Sequence, residues 1–485
     1  MSTRAKTNMD FTEGKIFRKL LKFILALAAT NLLISFYGIA DTMIVGLSDE
    51  PNAVGAIGTT GPLTALIINL FIGFSAGGEV MVARHIGAKD NERTEKAVHT
   101  SVFMSMLFGL LGAGAGAAMS NPIMRLMGLQ GNILKLATTY LYIYFAGIPF
   151  LSVTNYLAAI FRAKGDSRTP LIVLMSTGLI NVLLNLLFVV GFGMAVEGVA
   201  LATSIANVLS CVILLWRLSK GEGAAKFSFK KLKIDKREFM AIVHIGLPAG
   251  LQSAIASISN MLIQSSIVSV NNAVVPSGVE YQPIVNGNAA AASLAGFIYT
   301  GVLSVGQGVV AFTSQNLGAK KYRRIQPILY NGFLMSFVVS VAMSAAMMLF
   351  KTPLLSLYGV RVGTEGSLER MAYDAATMRL WYTAVPYFIG GFLEIASGVL
   401  RGLGKSVTSM VISLSVLCGL RILWLLIVFP LYPTLFMILV TFPALWALGA
   451  IIKFVVVQVC IKRLKEPIQE AENIESSEEI EASAE

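Results

Sequence analysis

The chain has 485 residues, 55% of them hydrophobic and only 13% charged, and its mean hydropathy is +0.72. A soluble domain carries about a quarter charged residues, so the composition excludes an ordinary soluble protein and points to an integral membrane one. The net charge of +11 raises the question of nucleic acid, but no base-reading motif accompanies it, and no nucleic-acid partner is expected.

A membrane-crossing helix needs about 20 mostly apolar residues, because lipid offers an open backbone no hydrogen-bond partner. Residues 1–15 are polar. The first apolar stretch, 17–45, is too long for the core of a cleaved leader. It carries Asp41 near its far end, with Tyr37 one turn away on the same face. An ionisable residue at such depth costs about 2.5–3.5 kcal/mol on insertion scales and is a functional candidate. Further spans are predicted near 54–82, 97–119, 134–160, 169–191 and 195–216. Glu79 lies close to the end of the second and is expected to snorkel to the surface. On the fifth, Asn181 and Asn185 share a face; on the sixth, Thr203 and Asn207 do the same. At ~1.5 Å rise per residue, Asp41, Asn185 and Thr203 fall in the same half of the membrane, so one pocket is expected from Asp41, Tyr37, Asn181, Asn185, Thr203 and Asn207.

A basic linker, Arg217 to Arg237, then divides the chain. Spans resume near 240–270, 288–313, 328–350, 376–399, 407–429 and 434–461. Asn260 and Gln264 are four apart on the seventh. Glu394 on the tenth and Lys453 on the twelfth lie at similar depth, about 8 and 10 Å by the same rise, so a buried ion pair between them is expected, in either a structural or a coupling role. Arg421 lies too deep to join it. Between the tenth and eleventh spans stands "RGLGKS", residues 401–406. It resembles a phosphate loop, but the glycine that loop requires is replaced by Val399; a tight turn is the better reading. The cysteines, Cys211, Cys418 and Cys460, lie in apolar runs without metal-site spacing. His85, His99 and His244 have no visible partner and are expected at the surface. The glutamate-rich stretch 466–485 is expected to be disordered.

Thirty of the 38 Lys and Arg residues fall in the N-terminal arm, alternate loops and the stretch after the last span; five fall in the other loops. Basic loops remain cytoplasmic, so both termini are expected there. The halves also repeat. "ARHIGAKD" after the second span answers "SQNLGAKK" after the eighth, and "FRAKGDSRT" after the fourth answers "LRGLGKSVT" after the tenth. The expected fold is therefore all-α, twelve transmembrane helices in two pseudo-symmetric six-helix lobes, 1–220 and 239–465, joined by the linker 221–238.

The motifs "YGIADTMIVG", "ARHIGAKD", "FRAKGDSRTP", "INVLLN", "GVALAT" and "IGLPAGLQ", in this order across both halves, resemble the multidrug and toxin extrusion (MATE) family of cation-coupled efflux transporters. The resemblance covers residues 10 to 465. It implies two lobes working by alternating access and export of cationic amphipathic drugs against an inward proton or sodium gradient. It also implies a coupling role for Asp41, with sodium as a possible ligand there, and no cofactor beyond the coupling ion. A monomer in the inner or plasma membrane, contacting lipid, is expected. This sequence departs from the pattern at Asn185, where relatives often carry Asp, which leaves the ion open between proton and sodium. A lipid-linked-sugar flippase of the same superfamily would need a cationic cavity, against which the few intramembrane basic residues count. A membrane enzyme would need clustered acids or histidines at one face, which the loops lack.

Overall fold

The computed structural model describes residues 9–50, 52–275 and 281–482, and among these every regular element is helical. Eleven helices are long and apolar enough to cross a membrane, and a bent pair makes a twelfth span. The first half comprises α1 (Ile16–Val45), α2 (Ala53–Gly87), α3 (Asn91–Leu126), α4 (Gly131–Ala163), α5 (Arg168–Leu186) and α6 (Val196–Ser219). The second comprises α7 (Lys236–Val274), α8 (Pro283–Gly318), α9 (Ile325–Leu349), the pair α10 (Leu368–Thr383) and α11 (Tyr387–Gly402), α12 (Ser406–Leu431) and α13 (Thr441–Ala482).

The α10–α11 pair bends by 45° at residues 384–386. Pro386 has no N–H to continue the ladder, and Ser344 Oγ donates to the carbonyl of Ala384. A hydroxyl thus satisfies a backbone group that lipid would leave bare.

The repeats seen in sequence recur as backbone geometry. Lys89 and Lys320, the third residues of the two "GAK" motifs, are the non-glycine residues with positive φ, at 57° and 56°, among the described residues. Gly165 and Gly404, in the second pair of motifs, both take φ +78°. Each left-handed residue ends a helix, as in Asp90 N–H to His85 O (3.0 Å) and Lys321 N–H to Asn316 O (2.9 Å), the bond pattern of a left-handed helix cap. "RGLGKS" is likewise a helix-ending turn at Gly404.

Hydrophobicity does not drive helices together inside lipid, so close approach of backbones must. Gly73 and Gly77 of α2 meet Gly246 and Gly250 of α7; a Cβ on Gly73 would lie 2.4 Å from Gly250 Cα. Where the "GAK" motifs begin, a Cβ on Gly87 would lie 2.0 Å from Gln315 O, and one on Gly318 would lie 1.9 Å from Arg84 O. The two lobes therefore touch backbone to backbone on the face that carries the basic loops. The N-terminal arm covers the same closure. Phe11 N–H donates to Gln315 Oε1 (3.2 Å), and the Phe11 ring stacks on Phe312 at 3.9 Å.

The lobes also exchange helix halves. Leu20, Phe23, Ile24 and Leu27 of α1 are buried with Val305, Val309 and Phe312 of α8. Ile242 and Ile245 of α7 are buried with Val80 and Ala83 of α2.

Two expectations, those for His85 and His99, are corrected, and α13 continues past residue 466 to Ala482. Glu, Gln and Ala are good helix formers, and extending a formed helix needs no new nucleus; residues 483–485 lie outside the described residues. The histidines at 85 and 99 are buried, not superficial. His85 Nε2 lies 3.0 Å from Glu238 Oε2, and the ring nitrogens of His99 lie 2.8 Å from Glu95 O and 3.1 Å from Ser228 O, pinning the linker to α3.

Candidate functional site

Asp41 lies on the last turns of α1, against α5 and α6. Asn185 Nδ2 donates to Asp41 Oδ1 at 2.5 Å. With the Asn181 amide turned to suit both its neighbours, its Nδ2 donates to Asp41 Oδ1 at 2.9 Å and its Oδ1 accepts from Thr203 N–H at 3.2 Å. The (i, i+4) spacing on α5 places both amides on one face, and both are buried. Asn185 Oδ1 is buried with no donor among the described residues. Immediately beyond, residues Leu187–Gly191 form a π-helical turn, a distortion frequent at functional sites.

Two expected members stand apart. The Tyr37 hydroxyl donates to the carbonyl of Met175 (3.0 Å) rather than to Asp41, because its ring is wedged on Gly178, where a Cβ would lie 1.9 Å from a ring carbon. Asn207 makes no hydrogen bond to this set among the described residues. Tyr140 and Tyr144 of α4, which sequence reasoning missed, stack on each other at 5.8 Å within electrostatic reach of Asp41.

Between the lobes lies a cavity of about 430 Å³. Six charged side chains line it: Glu79, Arg162, Arg379, Glu394, Arg401 and Arg421. Glu79 does not snorkel. It is 2% exposed and receives Arg162 Nε and Nη2 at 2.9 and 2.7 Å. Glu394 does not pair with Lys453. It accepts from Arg401 Nη2 at 2.5 Å, two turns along the same helix. Lys453 is fully buried and donates to the hydroxyls of Ser397 and Ser413, both at 2.6 Å. Arg162 and Arg401, counted with the loops on sequence, are the last-turn residues of α4 and α11 and occupy matching places in the two repeats.

Arg379 Nη1 donates to Asn288 Oδ1, and Asn288 Nδ2 donates in turn to Gln264 Oε1 (3.3 Å). Arg421 Nη1 donates to Ser259 Oγ (3.4 Å). Asn260 lines the cavity nearby. Four arginines against two glutamates make this cavity cationic, contrary to the expectation from sequence.

The MatE family profile matches residues 26–187 and 248–427, one stretch in each half of the chain. The chain belongs to the MatE family. Among relatives of this MatE protein, the "Probable multidrug resistance protein YoeA" of Bacillus subtilis (strain 168) is 26% identical over 419 residues, covering 85% of this chain and 86% of that protein. The "Multidrug export protein MepA" of Staphylococcus aureus (strain NCTC 8325 / PS 47) is 24% identical over 406 residues, covering 83% and 85%. A solved outward-facing structure of a multidrug resistance MATE family transporter superposes with a TM-score of 0.83 at 19% identity, covering 94% of this chain and 98% of that one. The fold is therefore that of a MATE transporter, multi-pass in the membrane. This MatE protein is a membrane transporter and not an enzyme.

Proposed function

We propose that this MatE protein is a secondary active exporter whose two lobes alternate access to the central cavity, coupled to inward movement of a proton or a sodium ion through Asp41. The observation that carries the reading is the Asp41 carboxylate held by two buried amides beside the unpartnered Asn185 Oδ1. A carboxylate and an amide oxygen are hard ligands suited to sodium; the same carboxylate is also a proton acceptor. Neither ion moves the equilibrium unless it binds the two conformations unequally. Because Asp41 lies in the last turns of a helix whose other end is buried in the second lobe, its charge state bears on both lobes at once.

The multidrug names of YoeA and MepA support amphipathic drugs as cargo. The 30-to-5 split of basic residues supports an inner or plasma membrane with the basic face, and both termini, cytoplasmic. The backbone closure would then seal the cytoplasmic side. The cationic cargo implied by the family resemblance finds little support in the cavity, since Glu79 and Glu394 are already neutralised by arginine.

Asp41→Asn keeps the shape and removes the charge change. In proteoliposomes, insertion and drug affinity should match the wild type, while efflux driven by a proton or sodium gradient should fall by at least about tenfold, equivalent to ~1.4 kcal/mol of lost coupling. Undiminished gradient-driven efflux would remove Asp41 from the coupling role.

A further inference from the structure

Once ion pairs are subtracted, the cavity keeps two positive charges. Arg162 is matched by Glu79 and Arg401 by Glu394. Arg379 on α10 and Arg421 on α12 have no carboxylate within ion-pair distance among the described residues. They converge all the same, with guanidinium carbons 5.3 and 4.8 Å from the centre of one ring, Phe442. Neutral groups hold each by one nitrogen, Asn288 for Arg379 and Ser259 for Arg421. The Nε of each is buried with no acceptor, and Arg421 is only 5% exposed.

We propose that Arg379 and Arg421 form an anion subsite that takes the acidic group (carboxylate, sulfonate or phosphate) of an amphipathic solute, with Phe442 and Trp446 against its apolar body. Within the same cavity, Arg162 and Arg401 show how this chain treats an arginine meant only for structure: each faces a glutamate. Two guanidinium groups over one ring repel each other in a weakly screening interior, and a bound anion relieves both. The planar fork of arginine suits carboxylate and phosphate oxygens. Local backbone supports the placement. Arg421 stands in a short α-helical stretch between two π-helical segments, Leu414–Leu420 and Trp424–Val428. The π-helical segments change the phase of α12, and Arg379, one turn before α10 ends at Thr383, lies two turns ahead of Pro386. This inference rests on the reading that the cavity carries cargo, and deepens it by naming the cargo's charge.

The test uses two fluorescent probes with one apolar body, 1-pyrenebutyric acid and 1-pyrenebutyramide, titrated by anisotropy against the full chain in phosphatidylcholine nanodiscs. A charge-assisted hydrogen bond is roughly twice as strong as a neutral one, so the acid should bind at least about tenfold more tightly than the amide. In Arg379→Gln and in Arg421→Gln the preference should fall to about twofold or less, while Arg237→Gln, at an exposed residue in the first turn of α7 and outside the cavity, keeps it. Monodispersity and unchanged thermal midpoints establish that the variants are folded; if one fails, the wild-type acid-to-amide ratio still decides. Equal affinities in folded wild type, or a preference that survives both arginine substitutions, would overturn the subsite. Adding phosphatidylglycerol separates sources of the anion. Displacement of the acid assigns the subsite to a lipid phosphate, and undisturbed binding assigns it to a soluble organic anion. Tight, arginine-dependent binding without gradient-driven efflux of the acid from proteoliposomes would leave the subsite standing and remove the transport reading instead.

Discussion

Breaking the Glu79–Arg162 pair leaves a buried guanidinium without its carboxylate. Such a loss costs about 3–5 kcal/mol, whereas replacing both partners with apolar groups is often neutral. Glu79→Gln should therefore lower the thermal midpoint of the detergent-purified protein clearly, and Glu79→Gln with Arg162→Met should recover most of it, as followed by size-exclusion chromatography after heating. A smaller effect belongs to Asp235, which caps α7 by accepting from Arg237 and Glu238 N–H at 2.9 and 3.0 Å. The bond from Glu238 N–H, helped by the Arg237 N–H and by Lys96, holds its carboxyl below the ordinary 3.8. A depressed value in the folded state means stabilisation that is full above the unfolded value and is lost as pH falls through the folded one. Asp235→Ala should cost about 1 kcal/mol at pH 7, and the two midpoints should converge as the pH is lowered below about 3.8. The residues legible in sequence were those set by spacing within a helix and depth along it. Asp41, Asn181 and Asn185 meet because (i, i+4) spacing and equal depth suffice. Glu394 and Arg401, seven apart and on one face, are equally legible by that logic once Arg401 is read as the last turn of its helix and not as part of a loop.

At the level of elements, irregularity decides what sequence periodicity cannot. A count at 3.6 residues per turn assumes one phase throughout, but α12 contains two π-helical segments and the α10–α11 span turns by 45°. Arg379 and Arg421 therefore approach one ring although depth alone does not place them together. The glycine contacts make the opposite case, because "GAK" was visible twice and its backbone conformation repeats almost identically. Gly318→Leu puts a side chain where Arg84 O already lies, so closure of the basic face should be lost. Spin labels at the exposed Lys89 and Lys320, in a cysteine-free background, should report distances longer by several ångström in the variant. An unchanged distribution would mean that the closure does not depend on this contact.

For the molecule as a whole, the sequence reads as two consecutive halves with a linker, yet packing does not follow that division. Connectivity is written in hydropathy and turns; which helix lends its side chains to which core is settled only by three-dimensional contact. The first half of α1 belongs to the second lobe's core, and Phe11 is held by a residue 304 positions later in the chain. Synthesis is vectorial, at about 5–20 residues per second, so α1 must stay for roughly 15–60 s without its final neighbours. Its 30 residues are apolar enough to rest in lipid meanwhile, but the arm carrying Phe11 lacks the Phe312 ring and the Gln315 amide until α8 emerges. A chain ending at Leu232 and carrying Phe11→Cys should react rapidly with a water-soluble maleimide in opened membranes, and the full-length chain should be protected at least about tenfold, in keeping with an arm tied down only by docking. Equal reactivity would show that the arm finds its place without the second half. The last step of assembly is thus the seating of the residues made first, and the gate that closes the cavity cannot form on an unfinished protein.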